Sequence, residues 1–235
     1  MLITSKDNPK IKELMKLDKT RERRISKTFI VEGAHLVKEA FSKGLVIEAF
    51  SLEEKDGYTQ LTEAVMKKIC HTDTVVTEIA LCKMIESNKL EDRILILDKV
   101  QDPGNMGSLM RSAVAFGFKT IVLGLGSVDI YNDKVIRSSQ GAIFKLNFRE
   151  EDLTKFIPTL KDYKVYGTNV RNGIPLEDAA FDKKVALVLG NEGNGISEEV
   201  FYVIPKNIYI PLENTESLNV SVAGSIIMYE MSKKA

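Results

Sequence analysis

Two hydrophobic periods alternate along this chain. Ile11, Leu14 and Met15 recur at helical spacing after Asn8-Pro9, a pair that reads as an N-cap followed by proline at the first helical position. This helix is expected to end before the cluster Arg21-Glu22-Arg23-Arg24. Short apolar runs then alternate with amphipathic ones: FIVEG (Phe29 to Gly33) as a strand, AHLVKEAFSK as a helix, VIEAFSL as a strand and YTQLTEAVMKKI as a helix. The first ~85 residues thus predict a small α/β domain. Polar Glu86 to Asp92 has neither period, which places the boundary there and predicts domains over 1–88 and 89–235. Beyond it, RILILD, KTIVLG, KVYGT, KVALVLG and NIYIPL are strand-like. Helical segments follow at Asn105 to Phe116, near Asp133, in SEEVFYV and at the end of the chain. Such alternation predicts a mostly parallel sheet covered on both faces. Val220, Ala223, Ile227 and Met231 form a stripe on the last helix, either ordinary core or a subunit interface.

Composition narrows the class. With 235 residues, 44% hydrophobic and 28% charged, the chain can bury one large core or two smaller ones, which excludes global disorder. No apolar stretch approaches the ~20 residues that cross a bilayer, and MLITSKDNPKIKEL turns polar early, so a cytoplasmic protein without membrane contact is expected. Cys70 and Cys82 are not spaced as a CxxC pair, and two histidines are too few for an ordinary zinc site; reduced buried thiols and no metal are expected. The 33 basic and 33 acidic residues cancel. Their distribution does not: Met1 to Thr28 holds nine Lys or Arg against four acids, a surplus that either grips phosphate or forms a solvated helix face.

Three loops carry the chemistry: DPGNMGSLMRSAVAFG (Asp102 to Gly117), LGNEGNGIS (Leu189 to Ser197) and IPLENTESLNVSVAG (Ile210 to Gly224). Each closes or follows a strand-like run, where open α/β sheets hold ligands. Familiar motifs fail on them. GNEGNG runs GxxGxG where a dinucleotide fingerprint needs GxGxxG, no GK dipeptide exists for a phosphate loop, and both histidines precede every candidate nucleophile. Glu192 and Glu216 form a conceivable carboxylate pair, but a carboxylate in a Gly-rich turn more often ties down its own loop.

Taken as strings, the three loops closely resemble the signature motifs of the SpoU (TrmH-like) branch of the SPOUT RNA 2'-O-ribose methyltransferases. The likeness covers roughly Ile94 to Tyr229, including VIRSSQGAIF (Val135 to Phe144), and KTFIVEGAHLVKEA (Lys27 to Ala40) is similar to that family's ribosomal-protein-like substrate module. The resemblance implies an α/β chain with a small N-terminal RNA-binding domain and a C-terminal SPOUT domain, its parallel sheet closed by a deep trefoil knot. It implies a homodimer packed through the helices of the first and third motifs, with S-adenosylmethionine as cofactor. Thr168, Gly190, Asn191, Glu192, Gly193, Ile210, Leu212 and Leu218 are the implied cofactor-site positions, where glycines allow close backbone approach. Arg111, Asn105, Ser217 and Asn219 are the implied catalytic positions; Asn105 and Ser217 read equally well as caps of the helices that follow them. The implied substrate is structured RNA, ribosomal RNA ahead of tRNA. Relatives carry a Thr-Pro-Gln-Gly segment before the first catalytic strand, whereas Glu78 to Leu90 here has neither proline nor glycine.

Overall fold

A computed structural model describes every residue except Asp73, Glu86, Ser87, Asn88, Arg171 and Ala235. The chain forms two compact units, one of Met1–Ile85 with Asp129–Phe144 and one of Glu86–Val128 with Lys145–Ala235. The expected boundary at residue 88 lies outside the described residues.

The first unit begins with β1 (Leu2–Ile3), α1 (Pro9–Lys16), α2 (Thr20–Ser26), β2 (Thr28–Glu32), α3 (Ala34–Ser42), β3 (Val46–Ser51), β4 (Tyr58–Leu61), α4 (Glu63–Ile69) and β5 (Glu78–Lys83). Asn8 caps α1 as read, its side chain accepting from the Lys10 amide at 2.9 Å, with Pro9 at the first position. One reading holds and one is corrected. α1 ends at Lys16, before the basic cluster Arg21–Arg24 as expected, and that cluster lies inside α2. Tyr58–Leu61 is a strand and only the second half of its segment is helical. Glu78–Lys83, to which the sequence pattern assigned no element, is an interior strand of the sheet. Among the described residues the sheet order is β1-β4-β3-β5-β2, with β5 antiparallel to both neighbours. Its core packs Ile11 and Leu14 of α1 against Phe50, Leu61, Val65, Met66 and Ile79. Burial pushes the Cys70 thiol up to about 11 and the Cys82 thiol to about 12, so both stay protonated.

The second unit holds β6 (Arg93–Leu97), α5 (Pro103–Ala115) and β7 (Thr120–Gly124). The chain then leaves for the first unit, where it forms α6 (Asp133–Ser139). It returns as β8 (Asn147–Glu151), α7 (Leu153–Phe156), β9 (Lys164–Thr168), β10 (Ile174–Pro175), β11 (Val185–Leu189), α8 (Glu198–Phe201), β12 (Lys206–Tyr209) and α9 (Val220–Lys234). Among the described residues these strands form one all-parallel sheet, ordered β10-β12-β9-β11-β6-β7-β8. β11 and β7 are buried along their whole length, as parallel strands covered on both faces must be. The central strands of this sheet, β11 and β6, end at Leu189 and Leu97, so the Gly190 loop and the Asp102 loop emerge side by side.

The excursion is bound into the first unit by its own contacts. Arg23, 4% exposed, donates through Nε and Nη2 to one carboxylate oxygen of Asp129 at 3.1 and 2.6 Å, and through Nη1 to the carbonyls of Leu17 and Asp18. The Phe29 and Tyr131 rings meet at 4.6 Å, and the Tyr131 hydroxyl bonds the backbone of Ile85.

Candidate functional site

The three loops read from the sequence converge in the second unit. A cavity of about 330 Å³ is lined by Thr168, Gly190, Asn191, Glu192, Gly193, Ile210, Leu212, Ser217 and Leu218, every predicted cofactor position and one predicted catalytic position. That volume is at the lower end of the range for small-molecule sites. Val220, Ala223 and Ile227 also line it, and Met231 is buried, so the stripe read on α9 faces inward. The apolar residues that α9 exposes are Val222, Ile226 and Tyr229.

Loop geometry explains the glycines. Asn191 and Gly195 exchange two backbone hydrogen bonds, at 2.9 and 3.0 Å, which closes the loop into a tight turn. A Cβ on Gly190 would stand 2.0 Å from the Gly195 carbonyl carbon, so this turn excludes any side chain there. Gly195 itself has φ +69° and open space where a Cβ would project. The Asn191 carbonyl accepts from the amides of Gly193 and Asn194, while its NH2 donates to the Lys99 carbonyl at 2.9 Å. Asn191 therefore shapes its own loop and ties it to the loop after β6.

Glu192 joins the first and second motifs. Its carboxylate accepts from the backbone amides of Asp102 at 3.0 Å and Gln101 at 3.3 Å, and from the Asn105 side chain at 3.2 Å. Partial burial pushes this carboxyl up, but the Asp102 amide and the other donors outweigh it and leave the acid below its ordinary value. Because Asn105 donates its NH2 to an ionised carboxylate, its carbonyl points the other way, where it accepts from the Asn219 NH2 at 3.0 Å. Glu192, Asn105 and Asn219 thus form one oriented chain of hydrogen bonds across all three motifs.

The capping alternative is corrected by the same contacts. Asp102 caps α5, accepting from the Asn105 amide at 2.7 Å, with Pro103 in the first turn. Asn219 caps α9, accepting from the amide and hydroxyl of Ser221. Asn105 and Ser217 cap neither helix: the Asn105 side chain bridges Glu192 and Asn219, and Ser217 lines the cavity. Arg111 is exposed on α5, outside the cavity wall, and among the described residues it makes no hydrogen bond or ion pair. It lies six residues beyond Asn105, about 9 Å along the helix axis.

Sequence reasoning missed Asp98. Its carboxylate is 2% exposed and accepts from the Ser197 amide at 2.7 Å, fixing the far end of the second motif to the end of β6. The signal was present, a carboxylate terminating the apolar run RILIL. Asn169, Val170, Asn194 and Tyr209 also line the cavity. No group of three or more metal-ligating side chains exists among the described residues, and no described helix is long and apolar enough to cross a membrane.

A glycine-edged turn, apolar walls and polar groups gathered at one rim suit a nucleoside with a short charged tail. Comparison with known proteins agrees. Residues 92–229 match the SpoU rRNA Methylase family, and residues 8–80 match the MRM3-like substrate binding domain. The chain belongs to the SpoU family. It is 37% identical to the 23S rRNA (guanosine(2553)-2'-O)-methyltransferase RlmP of Bacillus subtilis, over 97% of this chain and 98% of that protein. Among solved structures, a putative TrmH-family RNA methyltransferase from Porphyromonas gingivalis superposes with a TM-score of 0.86 at 30% identity, covering 97% and 99% of the two chains. An RNA 2'-O ribose methyltransferase superposes at 0.83 with 28% identity, covering 100% and 99%.

Proposed function

We propose that this chain is an S-adenosylmethionine-dependent RNA 2'-O-methyltransferase that acts on a ribose of structured RNA, 23S rRNA ahead of tRNA. The observation that carries the proposal is the cavity lined by every predicted cofactor position, whose wall residue Glu192 is hydrogen-bonded to Asn105 and, through it, to Asn219. The relative named for 23S rRNA methylation, similar over the full length, favours that substrate. When bound, the cofactor supplies an electrophilic methyl group on a sulfonium.

Residues of this chain do the rest. Gly190, Gly193, Thr168, Ile210, Leu212 and Leu218, which line the cavity, would hold the cofactor. Asn191 and Glu192 hold that enclosure in shape. Asn105, Asn219 and Ser217 place polar groups where a ribose would meet the rim, aligning the hydroxyl with the methyl group. Arg111 stabilises developing alkoxide character or grips the neighbouring phosphate; a guanidinium with a pKa above ~12 holds its proton too tightly to act as the base. Residues 1–88 form the RNA-binding domain and 89–235 the catalytic domain. The reading further includes a threaded C-terminal knot, a homodimer and a cytoplasmic location. The outward face of Val222, Ile226 and Tyr229 on α9 supports the dimer.

Calorimetric titration with S-adenosylmethionine tests the proposal. Saturable binding is expected in the native chain and none in Gly190→Ala, whose new methyl group collides with backbone. A native chain that takes up no cofactor removes the reading and leaves an RNA-binding protein that keeps only the fold.

A further inference from the structure

The structure sorts the nine cations of the N-terminal stretch into those that hold the fold and those that face solvent. Arg23 is buried against Asp129. Lys10 pairs with Glu48, and Lys12 with Asp7 at 2.9 Å. Of the four acids, Asp7 is thereby matched. Asp18 is matched by His71, whose Nε2 lies 2.9 Å from it while Nδ1 lies 2.7 Å from Glu32. A ring whose two nitrogens both face carboxylates is held as imidazolium.

What this leaves is an exposed basic face. On α2, Arg23 points inward and Arg21, Arg24 and Ile25 are exposed, with Arg24 and Ile25 at i+3 and i+4 from Arg21. Lys19 precedes the helix and Lys27 ends it in the left-handed conformation at φ 57°. All four cations are exposed, and among the described residues Lys19, Arg21 and Lys27 make no ion pair. On the same helix Ile25 is 66% exposed, an aliphatic side chain in a stretch rich in positive charge.

We propose that this α2 face, formed by Lys19, Arg21, Arg24, Ile25 and Lys27, is the surface through which the first unit docks on RNA. The cations take backbone phosphates, and Ile25 packs against an exposed base or ribose. RNA is the occupant favoured by charge: Asp7 and Asp18 are matched by Lys12 and His71, Glu13 belongs to α1, and the only acid on α2 itself is Glu22. A polyanion with an apolar face at each nucleotide complements both components. A short two-turn helix would hold such a face loosely by itself, but Arg23 ties it to Asp129, and Arg23 and His71 both bond Asp18 in the α1–α2 turn. The proposal rests on the methyltransferase reading for its choice of RNA.

The test uses the full chain and two probes, a hairpin RNA with an unpaired loop and vesicles of phosphatidylglycerol and phosphatidylcholine. Fluorescence anisotropy is read over a salt series for the native chain, for Lys19→Ala/Arg21→Ala/Lys27→Ala, for Ile25→Ser, and for the control Lys155→Ala/Lys183→Ala on the second unit. The triple variant is expected to weaken hairpin binding by roughly 20-fold or more and to flatten the slope of log affinity against log salt by about two to three, one for each phosphate that is no longer neutralised. Ile25→Ser is expected to lose about fivefold with the slope unchanged, and the control to stay within about twofold of native. S-adenosylmethionine binding is expected to be equal in all four proteins, which reports intact folding. Native-like hairpin affinity and slope in the triple variant overturn the surface while leaving the methyltransferase reading in place. Failure of the native chain to bind cofactor overturns that reading separately. Vesicle capture that exceeds hairpin capture and is lost in the triple variant overturns RNA as the occupant.

Discussion

The two units use their polar side chains for different ends. In the first, Arg23–Asp129 and His71 between Asp18 and Glu32 fasten secondary structure to secondary structure, and these five groups end on one another. In the second, Glu192, Asn105 and Asn219 fasten loop to loop, and the chain they form ends at an open cavity. The contrast separates contacts that set stability from contacts that set chemistry, although both look alike as a catalogue of hydrogen bonds. It also explains why Arg23 and Arg111, both in basic or polar motifs, differ so much. One is buried with its donors satisfied, and the other is exposed without a partner among the described residues.

The sharpest way to break this contrast is to exchange the expected outcomes of those two arginines. Arg23→Met leaves Asp129 unpaired in a site where it is only 15% exposed, so a loss of about 3 kcal/mol in folding stability is expected, measured by urea unfolding. Cofactor affinity of the folded fraction should not change. Arg111→Ala should do the reverse: unfolding indistinguishable from native, cofactor binding nearly intact, and methyl transfer lower by more than ~100-fold in single-turnover assays. Native turnover in Arg111→Ala would remove this residue from the chemistry.

A smaller effect is expected at the join of the loops. Glu192→Gln replaces one acceptor oxygen by a donor facing the Gln101 and Asp102 amides, so cofactor affinity should fall by about tenfold, with little change in melting temperature. A large drop in melting temperature with unchanged affinity would move Glu192 into the structural class.

The smallest effect is the pH response of the first unit. The His71 pKa is raised to about 9, first by its hydrogen bond to Glu32, against the opposing effect of burial, and further by the nearby Asp18 charge. Its stabilisation is therefore complete below its unfolded value near 6.5 and is lost as pH rises through about 9. Discounted for partial exposure, the loss should be about 1 to 2 kcal/mol between about pH 6 and pH 10, and absent in His71→Asn.

The same division governs what could be read from the chain. β6, β7 and β11 were legible because parallel strands buried on both faces appear as unbroken apolar runs. β4 and β5 were not. Tyr58–Leu61 runs directly into the helix after it, and Glu78–Lys83 mixes charge with apolar residues because it lies mid-sheet in a small domain. The site loops were visible as composition and by resemblance, and their cofactor positions do line one cavity. The caps were misassigned because Asp102 and Asn105, or Ser217 and Asn219, are chemically equivalent until the helix register selects one. The inward turn of Arg23 had no local signal, since its partner stands 106 residues away.

The most direct test of the account is the position of the transferred methyl group. Purified chain, S-adenosylmethionine carrying a labelled methyl and ribosomal RNA from cells lacking the gene should yield one labelled nucleotide in 23S rRNA. The label should remain on the ribose 2'-oxygen after digestion to nucleosides, with none when Arg111→Ala is used. Label on a base, or no label with cofactor bound, would contradict it.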